Sequence, residues 1–321
     1  MLYSESSPYE FDLFGTNRID IGLILKDFGN ELQAWAEAWS HQREQTGDWD
    51  LKKSSLRDSQ KELEEEIRKA YGFAYVQING IHYWTDEIKK DFVILDVVEE
   101  KEKAERMPFL PPPQGSYPDP EGVFATLDEY FKVGMDLSQR GLLGVEDLND
   151  TEISFHTVFG HCHPKLAPYR VIGEIVKRHQ QEIETIFLDD SDEYKRAHAA
   201  FLLAYLKDGK YLINLLQKRL KDSSPEVRNN VMRVYTYIAM KHPEMELPVN
   251  DLVEALNYPS FGDRNKAVGT LYMLAQHPEQ LAKHRSAFIK AVPLLNKLLT
   301  QKQPNVHDPA KFILNALSEF A

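Results

Sequence analysis

The feature that most constrains the fold is a motif that occurs four times between residues 190 and 318. The anchors of the four copies are Arg196, Arg228, Arg264 and His307. Small or apolar side chains recur three, seven and ten positions after each anchor, and these offsets lie on one face of an α-helix. Each copy therefore contributes a helix with the same apolar stripe, and neighbouring copies must stack to bury it.

A second helix is predicted before each of the later copies. The three segments are YLINLLQKRL at 211–220, LVEALN at 252–257 and VPLLNKLL at 292–299. A short polar or proline-containing turn separates each segment from the next anchor, because proline and serine favour turns over helix interiors. The repeated unit is thus a helical hairpin.

These hairpins resemble the HEAT-repeat family. LINLLQKRLKDSSPEVRNNV and VPLLNKLLTQKQPNVHDPA are similar to its pattern of a leucine-rich second helix, a turn, and Val-Arg opening the next first helix. In this resemblance Asp222 matches the turn aspartate and Arg228 the family's arginine. His307 and Pro309 depart from it, as is typical of a capping repeat. The resemblance implies a right-handed α-solenoid whose second helices line a concave face, commonly one that binds proteins.

The segment before the repeats is predicted to hold one more unit, within residues 151–188. There YRVIGEIVKRHQQEIETIF, at 169–187, has the apolar spacing of one long second helix that ends at Asp189.

The N-terminal third predicts a small α+β module over residues 1–106. Apolar spacing indicates helices at about 30–44, where Trp35 and Trp39 would lie in the core, and at 58–70. Asn79-Gly80 predicts a hairpin turn, because both residues tolerate positive φ. The strands expected from this pattern are at about 73–78, 81–85 and 92–98.

Six prolines between Met107 and Gly122 exclude a helix or a central strand there. We expect this segment to be a linker or an extended strap over a surface, and its PxxP patterns also suit an SH3-type ligand. A helix is predicted at 123–138. The fold class is therefore mainly α, with module 1–106, proline-rich segment 107–122 and a HEAT-like helical domain at 123–321.

Charge is distributed unevenly along the chain. Residues 1–150 carry 16 basic and 31 acidic side chains, whereas residues 151–321 carry 22 and 19. An acidic half disfavours wholesale nucleic-acid binding, since it repels phosphates. The single cysteine, Cys162, excludes an intrachain disulfide, and no apolar run is long enough to cross a membrane. We expect a cytoplasmic protein with no membrane partner.

The densest group of metal-capable side chains is the segment SFHTVFGHCHPK. It contains His156, His161, Cys162 and His163. In an extended segment His161 and His163 would point the same way and could share a metal ion, which would make the protein a metal-dependent enzyme. The alternative is that these residues belong to a turn or an interface. No nucleophile elbow, Walker loop or dinucleotide fingerprint occurs, so we expect no cofactor.

A second enzymatic alternative is a HEAT-like DNA glycosylase, which requires a basic groove. The charged residues predicted on the second helices alternate in sign along the array. They are Lys210, Lys218, Arg219, Lys221, Asp251, Glu254, Lys290 and Lys297. Acidic side chains interrupt the stripe, which disfavours a bound duplex.

The function we expect is therefore a non-enzymatic protein-binding scaffold whose partner is another protein. Its binding residues would be the polar positions left on the second helices once the leucines are assigned to the core. They are Asn214, Gln217, Lys218, Asn250, Glu254 and Asn257. Docking of the acidic first half onto the repeats of the same chain is the alternative use of that surface.

Overall fold

A computed structural model describes residues 8–46, 55–84, 89–148, 155 and 159–319. The strands are β1 (Tyr9–Phe14), β2 (Phe73–Trp84) and β3 (Lys89–Glu99). The helices are α1 (Ile21–Thr46), α2 (Ser55–Tyr71), α3 (Lys103–Arg106), α4 (Val123–Gln139), α5 (Val145–Leu148), α6 (Val171–Arg178), α7 (Gln180–Asp189), α8 (Glu193–Leu203), α9 (Gly209–Gln217), α10 (Pro225–Lys241), α11 (Val249–Ala255), α12 (Phe261–Ala275), α13 (Pro278–Lys283), α14 (Arg285–Leu298) and α15 (Pro304–Glu319). Within these ranges no helix has the length and apolarity of a membrane span.

The N-terminal module is a three-stranded sheet with α1 and α2 packed against it. The strand order is β1-β3-β2, with β1 parallel and β2 antiparallel to β3. The expected helices are confirmed, although α1 begins earlier than predicted and is kinked at Phe28. Trp35 and Trp39 are buried and stacked, with ring centres 6.1 Å apart, so they belong to the core as expected. Strand β1 was not predicted from the sequence.

The hairpin turn predicted at Asn79-Gly80 is wrong. Both residues lie inside β2, where they pair with Ile94 and Val93 of β3. A Cβ atom at Gly80 would lie 2.4 Å from the Trp39 ring, so the glycine is needed for close packing of the helix on the strand. The connection between β2 and β3 falls at residues 85–88, outside the described part of the chain.

The C-terminal part is a helical repeat solenoid. The first helices α8, α10, α12 and α15 pack on one another in chain order. At offsets three and seven the aligned positions of the first three copies are fully buried, as predicted, whereas in the fourth copy Ala310 is buried and Leu314 only half-buried: Ala199, Val231, Ala267, Leu203, Tyr235 and Leu271 are the buried six. Small side chains three positions after the anchors allow the helices to approach closely, which explains why that offset recurs.

One further unit precedes these repeats, but the single long helix predicted at 169–187 is wrong. The backbone leaves the helical region at His179, with φ −114° and ψ 28°, and divides the segment into α6 and α7. The break places α7 against α8 as the second helix of its unit.

The three arginine anchors form a buried series that we call the arginine ladder: Arg196, Arg228 and Arg264. Each Nη1 donates to the carbonyl oxygen six residues earlier, at Asp190, Asp222 and Tyr258 respectively. The other side of each guanidinium pairs with a buried aspartate. Arg196 lies 2.9 Å from Asp222, and Arg228 lies 2.7 Å from Asp263. The ladder thus ties each turn to the next repeat.

The N-terminal sheet completes the ladder. Arg264 pairs at 2.5 Å with Asp96 of β3, whose other oxygen accepts from the backbone N–H of Phe261. The Phe14 ring lies 3.8 Å from the Arg264 guanidinium carbon, and Arg106 donates to backbone oxygens of both parts, at Val97 and Asn257. The acidic first half therefore packs directly on the repeats.

The proline-rich segment has neither helix nor strand between residues 107 and 119 and runs across the repeat turns. The N–H of Leu110 donates to the Lys221 carbonyl at 2.7 Å, and Gly115 pairs with the Asp189–Ser191 backbone. Phe109 stacks on the Arg228 guanidinium, 3.8 Å from the ring centre to its carbon. Its contacts thus follow the arginine ladder.

Replacing Val231 by Asp is expected to lower the free energy of unfolding by about 4 kcal/mol, because an unpaired carboxylate would enter the helix stack. Met240→Asp on the same helix is the matched control, since Met240 is 46% exposed. Urea unfolding followed by circular dichroism measures both. Equal midpoints for Val231→Asp and the parent would contradict the repeat alignment.

Replacing Asp96 by Leu is expected to cost about 3–5 kcal/mol, because it leaves the Arg264 charge buried without its carboxylate. The double variant Asp96→Leu, Arg264→Leu should be less destabilised than the sum of the single variants, since no buried charge is then uncompensated. A double-mutant cycle in urea measures this coupling. Additive single effects would show that the pair does not join the sheet to the solenoid.

Candidate functional site

The second helices α7, α9, α11 and α14 follow one another on one side of the array. Side-chain bridges connect consecutive members: Tyr211 donates to Glu184 at 2.7 Å, and Gln217 to Asp251 at 2.7 Å. Helix α11 packs directly on α14. We call the exposed side of these four helices the second-helix face. The bridges hold its helices at fixed spacing.

The six residues predicted for partner binding divide into two groups. Asn214, Gln217, Lys218 and Asn250 are exposed on α9, at its C-terminal end and on α11. Of these, Gln217 donates to Asp251, and the remaining two residues, Glu254 and Asn257, are also engaged with neighbours. Glu254 pairs with Lys221 at 2.7 Å, and the side-chain amide of Asn257 donates to Glu105 of α3 at 3.0 Å.

Among the described residues, the N-terminal half touches the second-helix side of the array at Asn257, after α11, and at Lys297 of α14. Arg106 donates to the backbone oxygen of Asn257, and the contact with Glu105 lies beside it. Docking of the acidic first half onto the repeats of the same chain is thus seen at the repeat turns and at Asn257. Beside this contact, Asn214, Lys218 and Asn250 on α9, at its C-terminal end and on α11 are exposed.

A groove of about 800 Å³ lies beside the second-helix face, between α6 and the start of α9, and its lining includes Gln180 of α7 and Tyr211 of α9. Its apolar part is formed by Val171, Val176, Tyr205, Leu206 and Tyr211. Val171 and Tyr211 are 45% and 42% exposed, so two large side chains of the same groove are open to solvent. Sequence reasoning missed this groove, because its walls come from separate segments and no single motif marks it.

The groove carries charges of both signs. Arg170, Lys177 and Lys207 contribute the positive charges, and Glu174 and Asp208 the negative ones. The Asp208 carboxylate also caps α9 by accepting from the backbone N–H of Tyr211 at 2.9 Å. Such a lining suits a ligand that presents an apolar side chain flanked by polar groups.

Two of the histidines considered as metal ligands, His161 and His163, are described by the structure, and both are engaged with other groups. His161 is buried, and its two ring nitrogens lie 3.2 Å from the Leu166 carbonyl oxygen and 2.9 Å from the Tyr205 hydroxyl. His163 accepts from the backbone N–H of Lys165. His156 lies outside the described residues. Among those described, no group of three or more His, Cys, Asp or Glu side chains is arranged to hold a metal ion.

The charges considered for a nucleic-acid groove are partly paired with acids. Lys221 pairs with Glu254, and Arg219 lies 3.5 Å from the buried Asp222. Lys297 faces the N-terminal sheet, with its ammonium 4.9 Å from the Phe14 ring centre. These three cations therefore already have neighbours within the chain.

Designed armadillo repeat proteins are among the solved structures similar to this chain. One is 21% identical, covers 62% of this chain and 95% of its own, and has a TM-score of 0.40. Another, solved in complex with the peptide (KR)4, is 17% identical over 62% of this chain and 100% of its own, with a TM-score of 0.37. A third, described as designed for modular peptide recognition, is 20% identical over 62% and 94%, with a TM-score of 0.39.

No family model and no curated protein matches the chain. The TM-scores of the three structures are low, so their likeness carries no conclusion about function or ligand. The candidate site therefore rests on the chain's own residues.

Replacing Lys297 by Met is expected to raise the melting temperature at pH 7. Burial, with the positive charges of Arg106 and Arg264, lowers the pKa of Lys297 from 10.5 to about 8. The folded state thus holds this proton less tightly than the unfolded state, so the charged lysine destabilises the fold at neutral pH. This cost disappears as the pH rises from about 8 to 10.5.

Differential scanning fluorimetry between pH 7 and pH 9.5 measures the effect. The stability difference between Lys297→Met and the parent should shrink as the pH rises. The matched control is Lys290→Met on the same helix, because Lys290 is exposed. A difference that stays constant across this range would contradict the lowered pKa.

Proposed function

We propose that this protein is a non-enzymatic scaffold that binds another protein on its second-helix face. The observation that carries the proposal is the open groove between α6 and α9, with Val171 and Tyr211 exposed at its rim. Exposed apolar side chains beside polar ones are typical of surfaces that bind proteins. Asn214 and Lys218 extend the same face along α9, away from the groove.

The mixed chemistry of the face favours a polypeptide partner over a polyphosphate backbone. Asp251 and Glu254 would lie beside any phosphate placed along α11, and repulsion would weaken its binding. Amide side chains such as Asn214 and Asn250 both donate and accept hydrogen bonds, which suits peptide groups. The glycosylase and metal-enzyme alternatives stay hypotheses.

We further propose that the repeats are of the HEAT type. The arginine ladder supports this, because Arg228 and Asp222 match the family's arginine and turn aspartate and are both buried in the turn. The same proposal includes the division of the chain into module 1–106, proline-rich segment 107–122 and repeat domain 123–321. It also includes a cytoplasmic location.

The test is affinity capture from native lysate with quantitative mass spectrometry, comparing the parent with the variant Tyr211→Ala, Lys218→Glu. The parent should recover a partner protein reproducibly. The amount of that protein recovered by the variant should be at least five-fold lower. Lys311→Glu is the matched control, because Lys311 is an exposed lysine on the first helix α15. An unchanged set of captured proteins would contradict binding on this face.

A second measurement addresses the enzymatic alternatives. Titration with duplex and single-stranded DNA at low salt should show no submicromolar binding, and elemental analysis of untagged protein should show no stoichiometric zinc or iron. Tight DNA binding with a steep salt dependence would favour the nucleic-acid alternative. A metal signal that is lost in His161→Ala, His163→Ala would favour the metal enzyme.

A further inference from the structure

We propose that Leu110, Pro111 and Pro112 form a second docking site, a polyproline ridge read by a domain with an aromatic-lined groove. The ridge lies on the proline-rich segment, which the second-helix face does not use. Leu110 is 40% exposed, and Pro111 and Pro112 are also exposed, whereas the following Pro113 is buried. Three consecutive residues of the segment are therefore open to solvent, next to a buried proline.

The conformation of the ridge is fixed by local sterics. Leu110, Pro111 and Pro112 each precede a proline, which disfavours the α region and favours the polyproline II conformation. The proline rings fix φ near −65° and remove the backbone N–H groups. The ridge therefore cannot add to a β-sheet, and its carbonyl oxygens and ring faces are what it offers to a partner.

The chain is fastened to the repeats at Leu110, where the ridge begins, and at Gly115, three residues after it ends. On one side the N–H of Leu110 donates to the Lys221 carbonyl at 2.7 Å, and on the other Gly115 donates to Asp189 at 2.8 Å and accepts from Ser191 at 2.6 Å. A Cβ atom at Gly115 would lie 2.6 Å from the Asp189 carbonyl oxygen, so this close approach requires glycine. The tethers hold the ridge in place before any partner arrives.

Preorganisation of this kind favours binding. A free proline-rich peptide loses conformational entropy when it docks, whereas a ridge already held by the fold loses less. The folded chain should therefore bind a polyproline-reading domain at least as tightly as the same segment does as a free peptide. A strap that is merely structural predicts the reverse, because the domain would have to detach it first.

The charges around the ridge narrow the class of partner. The ridge itself is uncharged, the nearest preceding cation, Arg106, is buried, and the Lys221 side chain pairs with Glu254. The recognition therefore relies on proline rings packed against aromatic side chains rather than on a flanking ion pair. WW domains and SH3 domains share this polyproline-reading chemistry.

The experiment uses the full chain and two fluorescently labelled probes, a purified WW domain and a purified SH3 domain that bind uncharged polyproline. Fluorescence anisotropy should detect binding of at least one probe with Kd below about 100 μM, a value typical of weak, transient contacts. The variant Pro111→Ala, Pro112→Ala should weaken it at least ten-fold. Pro118→Ala is the matched control, because Pro118 is exposed on the same segment outside the ridge.

A synthetic peptide covering residues 106–117 supplies the decisive comparison. Equal or tighter binding by the full chain supports the ridge. Binding by the peptide that is more than ten-fold tighter than binding by the chain, or no binding of either probe to the chain, overturns it. Circular dichroism checks that the double variant keeps its fold, and retained probe affinity in that folded variant also overturns the proposal.

Discussion

The buried arginine ladder is the interaction on which the rest of this structure depends. Each guanidinium binds the carbonyl of its own turn and a carboxylate supplied from farther along or from another part of the chain, so each joins a turn to a neighbouring element. Burial raises the pKa of Asp263 and raises that of Asp96 to about 6, which shows how costly these carboxylates would be without their partners. The ladder therefore specifies how the elements stack more than it stabilises them, because buried ion pairs pay a large desolvation penalty.

The ladder also explains why the N-terminal module and the repeats meet where they do. Asp222 and Asp263 come from the repeats themselves, but the carboxylate for Arg264 comes from Asp96 of β3. The sheet thus takes the place of a repeat at the third position, and Phe14 covers the same guanidinium. The opposite net charges of the acidic module and the slightly basic repeats are consistent with this contact. The Asp96 carboxylate makes the contact specific.

The sequence predicted what depends on local periodicity and missed what depends on distant contacts. The offsets from Arg196, Arg228 and Arg264 predicted the stacked helices because every copy carries the same stripe. Asn79-Gly80 was misinterpreted because a glycine that favours a turn also makes room for Trp39. The site followed the same division: helical spacing placed Asn214 and Lys218 on the surface, whereas the groove beside α6 depends on segments that only the fold brings together.

The two proposed surfaces use different physical means to remain open. On the second-helix face, bridges such as Tyr211 to Glu184 tie neighbouring helices together, and the groove lies beside them, between α6 and the start of α9. In the proline-rich segment the prolines have no backbone N–H group that needs a hydrogen-bond partner. The exposed residues are therefore held in place by the backbone hydrogen bonds at Leu110 and Gly115. Both devices order the binding residues before a partner arrives.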